Sequence, residues 1–153
     1  MTKLVVFRLD DSHVALYLSS VDRVIPAVLV TPLPDAPEIV LGIINLHGHV
    51  VPIFDVRTGL RIARRETSTT EQIIIARANG RQVGLIVDFV VDTLSVPQEA
   101  IAATDSILPG TRKIHGVIAL QGSLLLIHDL DRFLSAEDDR VLDSALAKNE
   151  AAR

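Results

Sequence analysis

A chain of 153 residues is long enough to bury a core unaided, and with no cysteine it has neither a disulfide framework nor a thiolate metal site. Its net charge of −4 comes from 15 basic and 19 acidic residues mixed along the chain, with one Tyr, four Phe and no Trp. That mixture supplies neither a phosphate-binding face nor rings for stacking on bases, so nucleic acid is not an expected partner.

Mean hydropathy is high at +0.37, yet charges or turn residues interrupt every apolar run before a membrane-spanning length is reached. Met1-Thr2-Lys3 leads at once into a strand pattern with no signal-peptide core. The expectation is a cytoplasmic protein with no direct membrane insertion.

The first element is the apolar, β-branched run Leu4 to Leu9, broken by Asp10-Asp11 and followed by alternating Val14, Leu16 and Leu18. This is the pattern of two strands joined by a tight turn. Val21 and Val24 follow, beside Asp22, and suit either a core or an apolar binding surface. Pro37 to Leu41, with Gly42 as a stop, predicts a short helix. Leu41-Gly42-Ile43-Ile44-Asn45-Leu46-His47-Gly48 then leads into the strand Val50 to Asp55. Residues 61–71 lack periodicity and read as an exposed connection.

Ile73 to Ile75, Asn79-Gly80 and the alternating Val83, Leu85 and Val87 predict a second hairpin. Asn-Gly favours a type I′ turn because both residues tolerate positive φ. Val90 and Leu94 follow, beside Asp92. His115-Gly116-Val117-Ile118-Ala119-Leu120-Gln121-Gly122 leads into a last strand, Leu124 to Asp129. Ser135 with Asp138 forms a cap, and Val141, Leu142, Ala145 and Leu146 form a stripe, which predicts a helix over 135–150.

These elements are a duplication. The first hairpin recurs 69 positions later, with Ile73 at the place of Leu4, Arg77 at that of Arg8 and Asn79-Gly80 at that of Asp10-Asp11. The Leu41 to Asp55 block recurs 74 positions later, with Gly116, Gly122 and Asp129 at the places of Gly42, Gly48 and Asp55. Short strands repeated in order predict an all-β fold of two similar barrels packed together, with short helices and a C-terminal helix. Residues 1–153 form one domain, with sub-barrels at about 12–65 and 70–134 and possible strand exchange between them. Gly42, Gly48, Asn79, Gly80, Gly116 and Gly122 are expected at structural turns.

Little chemistry accompanies this pattern. His47 and His49 flank Gly48, but across a turn their side chains need not share a face. His128, Asp129 and Ser123 suggest a small hydrolase, without a G-x-S-x-G elbow to support it. His128 stands where the first copy has Phe54, which predicts a half-buried packing role. Asp55 and Asp129 are expected to end strands and accept backbone hydrogen bonds. No Walker or dinucleotide glycine pattern occurs. The expectation is therefore no catalytic residue, no metal and no cofactor.

The order of motifs resembles the CheW family of chemotaxis coupling proteins. The resemblance rests on Phe7-Arg8-Leu9, Pro32-Leu33-Pro34 with Ala36-Pro37, Gly42 to Gly48, Val51-Pro52-Ile53-Phe54-Asp55-Val56-Arg57, and Val83 to Asp88, and covers about Lys3 to Leu134. It implies five-stranded, SH3-like barrels. It also implies a non-catalytic adaptor that couples the cytoplasmic tip of a chemoreceptor to the regulatory domain of a CheA-type histidine kinase. The implied receptor-binding groove comprises Val21, Arg23, Val24, Ile43, Asn45, His47, Val90 and Thr93. Two positions depart from the family pattern: His47 replaces an Arg, and Arg23 stands where Glu is frequent. A decoy that docks on the kinase without contacting receptors is the alternative within the same class.

Overall fold

In the computed structural model, which describes residues 1–57, 71–103, 114–120, 123–133 and 136–151, the period-2 runs form strands. The first copy supplies β1 (Thr2–Leu9), β2 (Ser12–Tyr17), β3 (Val21–Pro26), β4 (Val40–Leu46) and β5 (His49–Phe54). The second supplies β6 (Gln72–Ala78), β7 (Arg81–Val87), β8 (Phe89–Val96), the two-residue β9 (Ala102–Ala103), β10 (Ile114–Leu120) and β11 (Ser123–His128). Short helix α1 (Leu130–Phe133) and terminal helix α2 (Ala136–Ala151) follow.

The strands make two sheets, ordered β8-β1-β2-β11-β10-β9 and β3-β6-β7-β5-β4. Each copy therefore lends its first hairpin to the other copy's sheet. Neither sheet is built from a contiguous stretch such as 12–65 or 70–134. The exchange is symmetric to the residue: Ala15 pairs with Ile127 in the parallel β2–β11 contact, and the corresponding Gly84 pairs with Ile53 in β7–β5. Register shifts recur too, at Val21/Arg23 on β3 and opposite Val6/Phe7 on β8, and at Val40/Gly42 and Ile114/Gly116.

Among the described residues, three apolar clusters follow from this arrangement. Leu4, Val6, Ile118, Leu125 and Ile127 fill one sheet's interior. Their counterparts Ile73, Ile75, Ile44, Val51 and Ile53 fill the other. The largest cluster lies between the sheets and joins Phe7, Leu9, Val14 and Leu16 to Ala76, Ala78, Val83 and Leu85. The copies differ in size at matching positions of this cluster, with Phe7 and Leu9 in the first where the second has Ala76 and Ala78. Burying each aliphatic side chain stabilises by roughly 1.5–3 kcal/mol, so the halves depend on this shared layer. Helix α2 adds Leu142 and Ala145 to the same cluster. It is clamped by Arg81, which donates to Asp139 at 2.9 Å and also to Asp143. Burial alone would lower the Arg81 pKa, but these two carboxylates outweigh it and hold it raised.

Several expectations at turns need correction. Residues 37–41 form no helix: Val40 N–H donates to the Pro37 carbonyl in a turn, and Val40 then pairs with Phe54. Strand pairing overrides the local helical signal. Gly42 and Gly116 lie within β4 and β10 rather than at turns, each beside a register shift. Both are approached by the segment that closes the sheet, Thr31 in one case and Ile101–Ala102 in the other. Asn79 and Gly80 do form the expected turn, with φ of 53° and 77°. Gly122 lies outside the described residues, as does Ser135.

Gly48 follows His47 in the β4–β5 turn, with φ of 86° and 52° respectively. Nothing lies within 4 Å of a Cβ built at Gly48. Gly48→Val is therefore expected to cost about 1–2 kcal/mol from backbone strain alone. Gly48→Asn, which tolerates this region, should recover most of it; equal thermal midpoints for wild type and Gly48→Val would show that the turn relaxes.

Candidate partner-binding surface

The outer strands β3 and β8 carry five of the eight residues expected in the groove. They are counterparts, with Val21 matching Val90 and Val24 matching Thr93. Val21 and Val90 are partly buried against the shared cluster, while Arg23 and Thr93 are exposed and Val24 is 37% exposed. Sequence reasoning missed Phe89 and Val91 on β8, exposed by 40% and 45%, with the Arg8 guanidinium 5.4 Å from the Phe89 ring centroid. Their signal was available in the apolar run that continues past Asp88.

The other three groove candidates lie on the β4–β5 hairpin. Ile43 is buried in the shared cluster and exchanges backbone hydrogen bonds with Thr31, so its side chain is core and does not belong to an open surface. Asn45 and His47 are exposed toward the tip, where Asn45 Oδ1 accepts the Gly48 N–H at 2.8 Å. The tip stands about 13 Å along the strand from Ile43.

A charged pin, also missed, holds the corner from which β8 departs. Arg57, 4% exposed, donates to Asp88 and stands 3.7 Å from Asp10. Asp88 Oδ2 accepts the Asp10 N–H at 2.6 Å, and Asp88 N–H donates to the Arg8 carbonyl at 3.0 Å. Thus one guanidinium joins the end of β5, the β7–β8 corner and the β1–β2 turn. The duplication repeats the contact with different chemistry: Asp131, the counterpart of Arg57, accepts the N–H of Asn79, the counterpart of Asp10, at 2.9 Å. A third link runs from Val90 N–H on β8 to Gln72 Oε1 on β6 at 2.7 Å.

Beside Asp131 lies a cleft of about 340 Å³ lined by Leu16, Tyr17, Ser20, His128, Asp129, Leu130 and Asp131. His128 is 2% exposed, deeper than the half-buried role expected of it. Burial, and then the Asp129 carboxylate, push the Tyr17 hydroxyl above the usual phenol range, so it stays protonated at neutral pH. Asp55, the counterpart of Asp129, accepts the Arg57 N–H at 3.1 Å, as a strand-ending carboxylate should. Ser123 and His128 occupy opposite ends of β11, about 17 Å apart along the strand. Among the described residues, no three metal-ligating side chains converge, and no helix is long and apolar enough to cross a membrane.

Comparison with known proteins places this geometry. Residues 3–138 match the model of the CheW-like domain. The chain is 33% identical over 138 residues to the chemotaxis protein CheW of Rhizobium meliloti (strain 1021), covering 89% of each chain. It is 28% identical over 146 residues to that of Klebsiella aerogenes, covering 93% of this chain and 87% of the relative. The crystal structure of the scaffolding protein TtCheW from Thermoanaerobacter tengcongensis superposes with a TM-score of 0.81 at 28% identity, over 90% of this chain and 94% of that one. Sequence and fold agree across nearly the whole length, and the chain belongs to the CheW-like domain family.

Proposed function

We propose that this chain is a non-catalytic adaptor that couples the cytoplasmic tip of a chemoreceptor to the regulatory domain of a CheA-type histidine kinase. The observation that carries the reading is the match to the CheW-like domain over residues 3–138. The paired outer strands β3 and β8 support it, because their exposed Val24, Phe89 and Val91 offer apolar area of the kind that a partner helix buries. Val21, Arg23, Val24, Val90 and Thr93 form the receptor groove in this reading, with Asn45 and His47 at its rim. The adaptor works in the cytoplasm, beside membrane-bound receptor arrays.

Co-sedimentation with receptor-containing membranes and purified kinase tests the proposal. Recovery of kinase only when adaptor and receptor are both present is the expected result. Binding of the kinase but not of the receptor would identify the decoy, and binding of neither would remove the adaptor reading.

His47 decides what kind of receptor is engaged. Arg offers a fixed fork of donors to a carboxylate, whereas neutral His offers one donor. If the Arg common in the family is an interface hot spot, its loss costs roughly 2 kcal/mol, about thirty-fold in affinity. His47→Arg is therefore expected to tighten binding to a receptor tip of the ordinary family type and to leave kinase affinity unchanged. Calorimetric titration of both variants against both partners checks this; equal affinities for every receptor would remove His47 from the groove.

A further inference from the structure

We propose that the cleft beside β11 takes an arginine side chain presented by a partner protein. The two copies of the duplicated unit differ at this place in a directed way. Of the cleft's lining residues, Leu16, Asp129 and Leu130 keep their type in the counterparts Leu85, Asp55 and Val56. The other four change: Tyr17 for Ile86, Ser20 for Phe89, His128 for Phe54, and Asp131 for Arg57. In the first copy, Phe54 is fully buried and the chain's own guanidinium sits at this corner, held by Asp88 and Asp10. In the second copy Asp131 replaces that cation, His128 replaces Phe54 and Ser20 replaces Phe89, and a cleft of about 340 Å³ lies between them.

The lining is complementary to what the first copy keeps there. Among the described residues it presents two carboxylates, two hydroxyls and an imidazole, and no lysine or arginine. Asp131 is exposed, and its Oδ1 accepts the Asn79 N–H. A guanidinium presents five donors in a planar fork and so can reach a carboxylate and a hydroxyl together, while Leu16 and Leu130 offer apolar surface for its methylene stem. An ammonium lacks the fork and is more strongly hydrated, which makes lysine the weaker ligand.

Titration of the intact, isotope-labelled chain with Nα-acetyl-arginine amide, followed by amide chemical shifts, tests the inference. Saturable shifts confined to Tyr17, Ser20 and His128 to Asp131 are expected by about 20 mM ligand, with little response to the lysine analogue and none to the neutral citrulline analogue. Asp131→Asn should raise the dissociation constant at least about five-fold, because a charge-assisted hydrogen bond is lost. Ser20→Phe restores the ring of the sister site and should abolish the shifts while the remaining spectrum is retained. The absence of saturable shifts, or equal shifts with citrulline, overturns the proposal. The identity of the presenting partner rests on the adaptor reading. Arginine binding without receptor–kinase assembly would remove that reading alone, and assembly without arginine binding would remove this inference alone.

Discussion

Gly42→Ala is expected to lower the unfolding free energy by at least about 3 kcal/mol, because a side chain there forces backbone to move. An ideal Cβ at this position would lie 2.2 Å from the Thr31 carbonyl oxygen, and 2.8 Å from both the Thr31 carbonyl carbon and Val30 Cγ1. Thr31 cannot retreat freely, because it exchanges two backbone hydrogen bonds with Ile43, at 2.9 and 2.8 Å, and these close the sheet. Gly116→Ala is the internal control. There the nearest atom is Ile101 Cγ2 at 2.7 Å, a side-chain end that can turn, and the Ala102 oxygen is at 3.1 Å. Its cost should be about 1–2 kcal/mol. Urea midpoints of the two variants measure the difference, and a Gly42→Ala midpoint equal to wild type would mean that the closing segment is not held by β4.

Arg57→Met is expected to cost about 3–5 kcal/mol, since it leaves the Asp88 and Asp10 carboxylates facing each other without their cation. Met conserves much of the stem's packing, so the loss reports the charge. The double variant Arg57→Met with Asp88→Asn should be distinctly less than additive, because removing the second charge relieves the repulsion that the first exposes. Additive losses in a double-mutant cycle would show that the pair is not coupled and that Arg57 contributes by packing alone.

The strands and the duplication were legible because each rests on local periodicity. Val14, Leu16 and their counterparts Val83 and Leu85 alternate as half-buried strands must, and the matching glycines fix the alignment of the copies. What the copies cannot reveal is which hairpin joins which sheet. β1–β2 is equally suited to β5 or β11, since Ile53 and Ile127 are equivalent partners. Residues 37–41 misled for a related reason: Pro37 and Gly42 look like helix punctuation, but Gly42 answers to a carbonyl that approaches from Thr31 across the sheet. Ile43 reads as surface in the sequence because its apolar neighbours are continuous, so alternation gives no face. Arg57 was hidden most completely. A cation just past an apolar strand usually reaches solvent, and its partners lie 31 residues ahead, at Asp88, and in the β1–β2 turn far behind it.

The reciprocal exchange of hairpins bears on how the chain is made. β1 buries Leu4, Val5, Val6 and Phe7 in succession, so it is apolar on both faces. The strands that flank its hairpin, β8 against β1 and β11 against β2, end at Val96 and His128. On a ribosome adding about 5–20 residues per second, the first hairpin waits roughly 5–20 s for the last strand of its sheet. Throughout that interval it presents an unpaired edge of the sort that joins other nascent chains. Selection on β1 and β2 therefore acts on solubility during translation as well as on the finished fold. Synonymous codon changes that slow elongation between Val21 and Leu125 should raise the aggregated fraction without altering the stability of the protein that escapes.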